Sequence, residues 1–271
     1  FDFSGVTLVG SNIVIDGAGG NDQITGNDVA NTIIGGLGDD IMDGAGGGDT
    51  YLVTGNVAGG WSSFSGYDTY LDTGASGIDV IKAVGTGKVD IGMDGFDADS
   101  GIEVIDATLA KGGATIVGSW TNDTFDFSGV TFLGKVAING GGGDDVIIGT
   151  AGNDVIAGGE GNDELTGGLG NDAFLFASVL NKWGNVDHIT DFSVPGDTIQ
   201  VDDAVFKKIG KLGALAANAF TIGVKATHTT DRIIYDQATG HLFYDADGSG
   251  KGEAIHFADI DAGLSLTNKD F

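Results

Sequence analysis

The sequence has no cysteine and a single proline in 271 residues. Without cysteine there is neither a disulfide nor a thiolate-ligated zinc or iron-sulfur site. Without proline and a three-residue period, the 51 glycines cannot signal collagen. Basic residues are scarce too: 12 Lys plus Arg stand against 39 acids, for a formal charge of -27. Phosphate binding needs clustered cations that release counterions, so nucleic acid is excluded as a partner. No apolar run approaches the ~18 residues of a membrane span, and FDFSGVTLVG at the N-terminus carries neither the basic region nor the cleavage site of a secretory signal. Arg232 is the sole arginine, and no acid, base and substrate clamp recur at related spacings, which argues against an enzyme.

What is present is aspartate in turns. Of the 39 acids only Glu103, Glu160, Glu164 and Glu253 are glutamates, and Asp suits tight turns where Glu suits helices. Residues 1–81 hold 11 Asp and no Lys or Arg. Such a segment repels itself when compact unless cations enter. A hydrophobic content of 41 % is nevertheless too high for a disordered acidic tail, so the carboxylates must be neutralised before the apolar residues are buried.

A fixed nine-residue step organises both kinds of residue. GAGGNDQIT, GNDVANTII, GGLGDDIMD and GAGGGDTYL follow one another from residue 17 to 52; GGGGDDVII, GTAGNDVIA, GGEGNDELT and GGLGNDAFL run from 140 to 175. The pattern is Gly-Gly-x-Gly-x-Asp-x-U-x, where U is apolar: Ile24, Ile33, Met42 and Tyr51, then Ile147, Ile156, Leu165 and Phe174. The sixth position holds Asp22, Asn31, Asp40 and Asp49, then Asp145, Asp154, Asp163 and Asp172. Asn31 keeps an oxygen but loses a charge.

Six glycine-rich residues ending in Asp form a turn, and the last three, with U in the middle, form a minimal strand. Two units therefore make one 18-residue coil with a strand on each side, U inward and turns stacked along each edge. Position six of one unit then lies beside position six of the second unit after it. The stacked pairs are Asp22 with Asp40, Asn31 with Asp49, Asp145 with Asp163, and Asp154 with Asp172. Adjacent carboxylates repel by a few kcal/mol at an effective dielectric of ~20; a hard divalent cation between the turns reverses the sign. Calcium fits best, accepting six to eight oxygens in loose geometry, whereas magnesium demands a tighter octahedron and transition metals favour His or Cys, absent from the repeats. A site with a Kd of about 10 μM adds roughly 2.7 kcal/mol at about 1 mM calcium and almost nothing at about 0.1 μM.

Eight in-phase GGxGxDxUx units resemble the RTX (repeats-in-toxin) family of calcium-binding β-rolls, and DHITDF and DRIIYDQATGHLFYDADGSG are similar to the C-terminal part of such proteins. The resemblance implies an all-β fold, a parallel β-roll or β-solenoid that takes up several calcium ions, at least three to four. It implies export through a type I secretion channel by an uncleaved C-terminal signal, with folding on calcium outside the cell or at its surface. It also implies that the position-six residues and the carbonyls at positions one to four hold the ions. Carried over, those carbonyls are Ala18, Gly20, Gly35, Leu37, Gly44 and Gly46 in the first block, and Gly141, Gly143, Thr150, Gly152, Gly158, Glu160, Gly167 and Leu169 in the second.

A longer duplication lies over the repeats: FDFSGVTLVG at residue 1 matches FDFSGVTFLG at 125. The expected organisation is a first module over 1–138, its block followed by an irregular solenoid insert, and a second over 139–271, its block followed by a capping and secretion region over 176–271. Opening at a module boundary predicts that similar modules or another domain precede Phe1, and family tails running a few residues past an Asp-Phe pair predict further residues after Phe271. Within 53–138 the sequence GSWTNDTFD (118–126) is a degraded repeat with Asp123 at position six. Residues 186–203 read as two short strands around a Pro-Gly turn, 204–219 as the one short helix, and 232–257 as a β-meander that caps the solenoid. Asp187 and Asp191 are candidates for a metal site past the last repeat. Asp245 and Asp247, in DADGSG, resemble the start of an EF-hand loop, but position 12 is His256 rather than Glu. His188, His228, His241 and His256 are scattered and read as exposed or packed; Trp61, Trp120 and Trp183 read as solenoid packing. The alternative to a calcium-responsive folding module is a polysaccharide-active or polysaccharide-binding solenoid, a lyase, epimerase, lectin or adhesin.

Overall fold

The computed structural model describes residues 14–55, 66–74, 76–182, 184–210 and 213–271. The N-terminal FDFSGVTLVG, Trp61 and Trp183 lie outside them. The described chain is built almost wholly of short parallel strands and forms two compact units. One takes the described residues up to Ser119 together with Asp123–Asn139, the other Trp120–Asn122 with Gly140–Phe271.

In the first unit the last three residues of each nonapeptide form the strand. Val14–Asp16 pairs with Thr32–Ile34, and Thr32–Ile34 with Thr50–Thr54, while Gln23–Thr25 pairs with Ile41–Asp43 on the other side of the coil. Strand partners are 18 residues apart, as a two-unit coil requires, and all ladders are parallel because every coil runs the same way round. Beyond the first block the coil enlarges without breaking: Ile41–Asp43 pairs with Thr69–Leu71, Thr50–Thr54 with Val80–Gly85, and Val80–Gly85 with Val104–Ala110. A third ladder joins Val89–Gly92, Ala114–Val117 and the start of Val136–Gly142. The irregular insert is thus solenoid.

In the second unit Val146–Ile148 pairs with Glu164–Thr166 and then Asp187–Ile189 on one side, and Val155–Glu160 with Ala173–Phe176 and then Thr198–Val201 on the other. The two strands flanking the Pro-Gly turn therefore lie in different sheets, one coil long. The meander is present as Ile233–Asp236, His241–Tyr244 and Ile255–Asp259, antiparallel to one another. It does not merely cover the end: Ile255–Asp259 also pairs in parallel with Asp187–Ile189 and so extends the solenoid sheet.

The helix expected over 204–219 is not formed among the described residues. Asp202 carbonyl accepts the amides of Val205 and Phe206, a turn follows at Ile209, and only Ala217–Ala219 forms a single 3-10 turn. Gly210 and Gly213 have φ of 128° and 112°, and Lys208 is left-handed as well, so the α conformation is interrupted three times.

The core is the column of U side chains. Ile24, Ile33, Met42, Tyr51, Ile147, Ile156, Leu165 and Phe174 are all buried. Removal from water of a side chain of this size stabilises by roughly 1.5–3 kcal/mol.

Candidate metal sites in the stacked turns

Position six stands one residue before its strand, so coil stacking brings these residues into columns. Each column is held by one repeated hydrogen bond, in which an amide at position six donates to Oδ1 of the Asp one coil further on. Asp22 N reaches Asp40 Oδ1 at 2.8 Å, Asn31 N reaches Asp49 Oδ1 at 2.6 Å, and the amides of Asp145 and Asp154 reach Oδ1 of Asp163 and Asp172 at 2.9 Å each. The four predicted pairs are therefore neighbours. Oδ2 takes no part in this bond. In Asp22, Asp40, Asp49 and Asp163 it is buried without a hydrogen-bond partner, and a lone buried carboxylate oxygen costs its desolvation with nothing to offset it.

Carbonyl oxygens converge on the same places. A Cβ added to Gly17 would meet the Gly35 carbonyl and come within 2.9 Å of Asp22 Oδ2. One on Gly149 would stand 2.6 Å from Gly167 O and 2.8 Å from Asp154 Oδ2, and one on Gly140 would meet Asp145 Oδ2 with Gly158 O 2.5 Å away. The Gly44 carbonyl lies likewise against Gly26, beside Asn31 Oδ1. The carbonyls of Gly20, Gly141, Gly143, Thr150 and Gly152 face the glycines of the next coil: Gly38, Gly159, Gly161, Gly168 and Gly170. Gly161, with φ of 135° and the Gly143 carbonyl where a Cβ would be, shows why the turn admits only glycine there.

Other predicted carbonyls are tied into the backbone. Leu37 N donates to Ala18 O at 3.0 Å, Gly20 N to Leu37 O at 2.7 Å, and Gly143 N to Glu160 O at 2.8 Å. Each of these carbonyls keeps a second lone pair. The side chains of Leu37 and Leu169 point outward and are exposed.

Two turns are closed by their own second residue. Thr150 donates to Asp154 Oδ2 through its amide at 2.7 Å and its hydroxyl at 2.9 Å. Asn27 N donates to Asn31 Oδ1 at 2.9 Å, and Asn31 Nδ2 to Asn27 Oδ1 at 3.2 Å. In the degraded repeat, Ser119 N donates to Asp123 Oδ2 at 2.6 Å, and Phe125 fills the U position.

The columns run past the nonapeptides. Asp40 N donates to Asp68 Oδ1 across 28 residues and Asp49 N to Asp79 Oδ1 across 30, after which Asp79 N goes to Glu103 Oε2. In the second unit Asp163 N reaches Asp187 Oδ1 at 3.3 Å and Asp172 N reaches Asp197 Oδ1 at 2.9 Å. Asp187 thus continues a column. Asp191 sits beside the columns, where its two oxygens accept the amides of Gly167 and Gly168 at 2.9 and 2.8 Å. Asp49, Asp72 and Asp79 bring one carboxylate oxygen each within 4.8 Å of one another. Reading by repeat step missed Asp68, Asp72, Asp79 and Asp197. A shorter signal reaches all but Asp72: Asp-x-U with U buried, as in Asp68 with Tyr70, Asp79 with Ile81, and Asp197 with Ile199.

Asp245 and Asp247 are brought together, but around their own turn. Asp247 N donates to Asp245 Oδ1 at 3.1 Å, and Asp247 Oδ2 accepts the amides of Lys251 and Gly252 at 3.1 Å each.

Packing acids behind one another makes them hard to ionise. Burial pushes Asp49 up to about 7, helped by the charges of Asp79 and Asp72, against the opposing hydrogen bond from Asn31. Burial likewise raises Asp68, Asp79 and Asp172 to about 6, each with a neighbouring Asp adding to the effect. Asp40, Asp154 and Asp163 are raised mainly by burial, and Asp187 by burial and then by the charge of Asp163. Oxygen-only donors, inward carbonyls and carboxylates in excess of their hydrogen bonds make a set of ligands suited to a hard divalent cation.

Fold and turns together define a parallel β-roll whose stacked glycine-Asp turns gather oxygen ligands suited to a hard cation. The family model of the RTX calcium-binding nonapeptide repeat, four copies long, matches residues 16–51 and 139–174. The chain therefore carries two blocks of RTX repeats, structural elements that bind Ca2+. No curated protein matches the chain.

Proposed function

We propose that this chain is a calcium-driven folding region of a larger extracellular or surface protein, exported through a type I channel and folded by calcium outside the cell. The observation that carries the reading is the set of buried Oδ2 atoms of Asp22, Asp40, Asp49 and Asp163, each without a hydrogen-bond partner in a column of like charge. A cation between coils would use Oδ2 of one Asp and the first-position carbonyl of the next coil: Asp22 with Gly35, and Asp145 with Gly158. The Asn31 turn, with an amide in place of a carboxylate, is the weakest of the eight. Calcium, when bound, would supply the charge that neutralises each column; the chain supplies the U core and the parallel ladders. The division into a module over 1–138 and one over 139–271 belongs to the same reading, each having its own block to load.

Because the empty columns repel and the U core is thin, chelated protein should be largely unfolded. About 1 mM calcium should produce β-structure, compaction and a higher melting temperature. Circular dichroism and hydrodynamic radius during a calcium titration test this, with magnesium in parallel. A folded, unchanged spectrum in chelator, or equal folding by magnesium, would overturn it.

A further inference from the structure

Among the described residues, the histidines are not all scattered as their sequence positions suggest: His241 and His256 meet, with Asp259, on one face of the C-terminal sheet. His241 opens the strand His241–Tyr244, while His256 and Asp259 lie on its antiparallel neighbour Ile255–Asp259. His256 Nε2 is 2.6 Å from Asp259 Oδ1, and His241 Nε2 is 3.7 Å from the same oxygen. The two imidazole centroids are 4.6 Å apart, and one ligand atom from each of the three residues falls within 4.8 Å of the others.

Strand geometry does not provide this by default. Residues three apart on a strand face opposite sides, so His256 and Asp259 would part. The ladder slips between Leu242 and Phe243: His241 pairs with Asp259 and Leu242 with Ala258, but Phe243 pairs with His256. The unpaired residue is Phe257, which is buried beside the equally buried Ala258. This bulge returns His256 to the face of Asp259, and re-aiming a side chain in this way is a recurrent use of bulges beside functional sites. On the other side of the same strand, His188 pairs in parallel with Asp259 and is exposed. Register thus aligns His188, Asp259 and His241 across three adjacent strands.

We propose that His241, His256 and Asp259 form a transition-metal site, separate from the calcium turns, with Zn2+ as the ion. Imidazole nitrogen is the ligand that selects zinc, nickel or copper over calcium. Ligands on a tetrahedral zinc at ~2.0 Å stand ~3.3 Å apart, within the span of distances the three residues already show. Side-chain exposures of 42 % for His241 and 29 % for His256 leave the site open to an entering ion. The ion would clasp the place where parallel stacking gives way to the antiparallel meander, since Ile255–Asp259 is parallel to one neighbour and antiparallel to the other.

The test uses the full chain saturated with calcium, its fold verified by circular dichroism. Calorimetric titration with Zn2+ should find one site tighter than about 10 μM. His241→Ala and His256→Ala should each weaken it at least tenfold and leave the number of bound calcium ions unchanged. X-ray absorption of zinc bound to the unaltered chain should show imidazole nitrogen, a readout that needs no variant. All-oxygen coordination, unaltered zinc affinity in the doubly substituted protein, or no binding at about 100 μM zinc would each overturn the proposal.

Discussion

A position-six aspartate has two oxygens with different duties. Oδ1 holds the preceding coil by its amide, and Oδ2 is left for a cation unless residue two of the turn takes it first. Asp163 and Asp154 differ in just this respect, because Thr150 occupies Oδ2 of Asp154 while that of Asp163 has no partner. Asp163→Ala should therefore remove one calcium and about 2.7 kcal/mol of stability at about 1 mM calcium, the contribution of a site with a Kd of about 10 μM. Asp154→Ala should cost less calcium affinity, since Thr150 already serves its carboxylate. Calorimetric ion counting decides, and equal losses in the two variants would contradict the division of labour. Asn31→Asp tests the converse. It adds a charge beside Asn27 Oδ1, which now accepts from Asn31 Nδ2, so the first block should tighten in calcium and weaken in chelator.

At the scale of the coil, loop length matters less than the Asp-x-U segment that ends each turn. Asp49 and Asp79 are joined by the same amide-to-Oδ1 bond as neighbours 18 apart, although they are 30 positions apart. Closing a longer loop costs only about 0.6 kcal/mol for each doubling, so the column tolerates it. Asp79 also raises Asp49 through its charge. Asp79→Asn should keep an oxygen for the Asp49 amide while removing that charge. Residual β-structure should consequently rise in chelator, and melting temperature should fall in calcium, relative to the unaltered chain. A shift of the same sign in both conditions would show that the extended coils take no part in ion binding.

For the molecule as a whole, the buried acids give the calcium-free chain a pH dependence opposite to that of most proteins. Asp49 at about 7, and Asp68, Asp79 and Asp172 at about 6, lie above the ~3.9 of an unfolded aspartate. In the calcium-free protein these groups bind protons more tightly folded than unfolded, so their contribution is complete below about pH 4 and is lost as pH rises through about 6 to 7. Calcium-stripped protein should gain β-structure on acidification, whereas calcium-loaded protein should lose stability as protons displace the ion. Thermal melts at about pH 4 and about pH 7 in each condition test the sign. Export belongs to the same scale. Removing Leu264–Phe271 should stop passage through a type I channel, while alanine at Asp145, Asp154, Asp163 and Asp172 should slow it and leave channel recognition intact. Secretion at low and millimolar external calcium measures both, with in vitro folding of the deletion variant as control, because Leu266 is buried and Asn268 Nδ2 bonds Leu215 O at 2.7 Å.

The nonapeptide step by itself determined the 18-residue coil, the inward U column, the pairing of position-six residues and the calcium chemistry, because each depends on neighbours at constant spacing in one repeated geometry. It also located the meander through its alternating strands. Tertiary structure alone decided what depends on contacts without a period. Asp68, Asp79 and Asp197 enter the columns only because coils of unequal length end in the same Asp-x-U segment. Residues 204–219 turn rather than coil because left-handed residues interrupt them. Trp120, expected to pack, is 76 % exposed and lies over Gly142. His241 and His256 lie on different strands, and a one-residue bulge together with the ladder register brings both to Asp259. Local repetition writes its geometry into sequence spacing, whereas register across non-repeating strands is settled by which faces can be buried together.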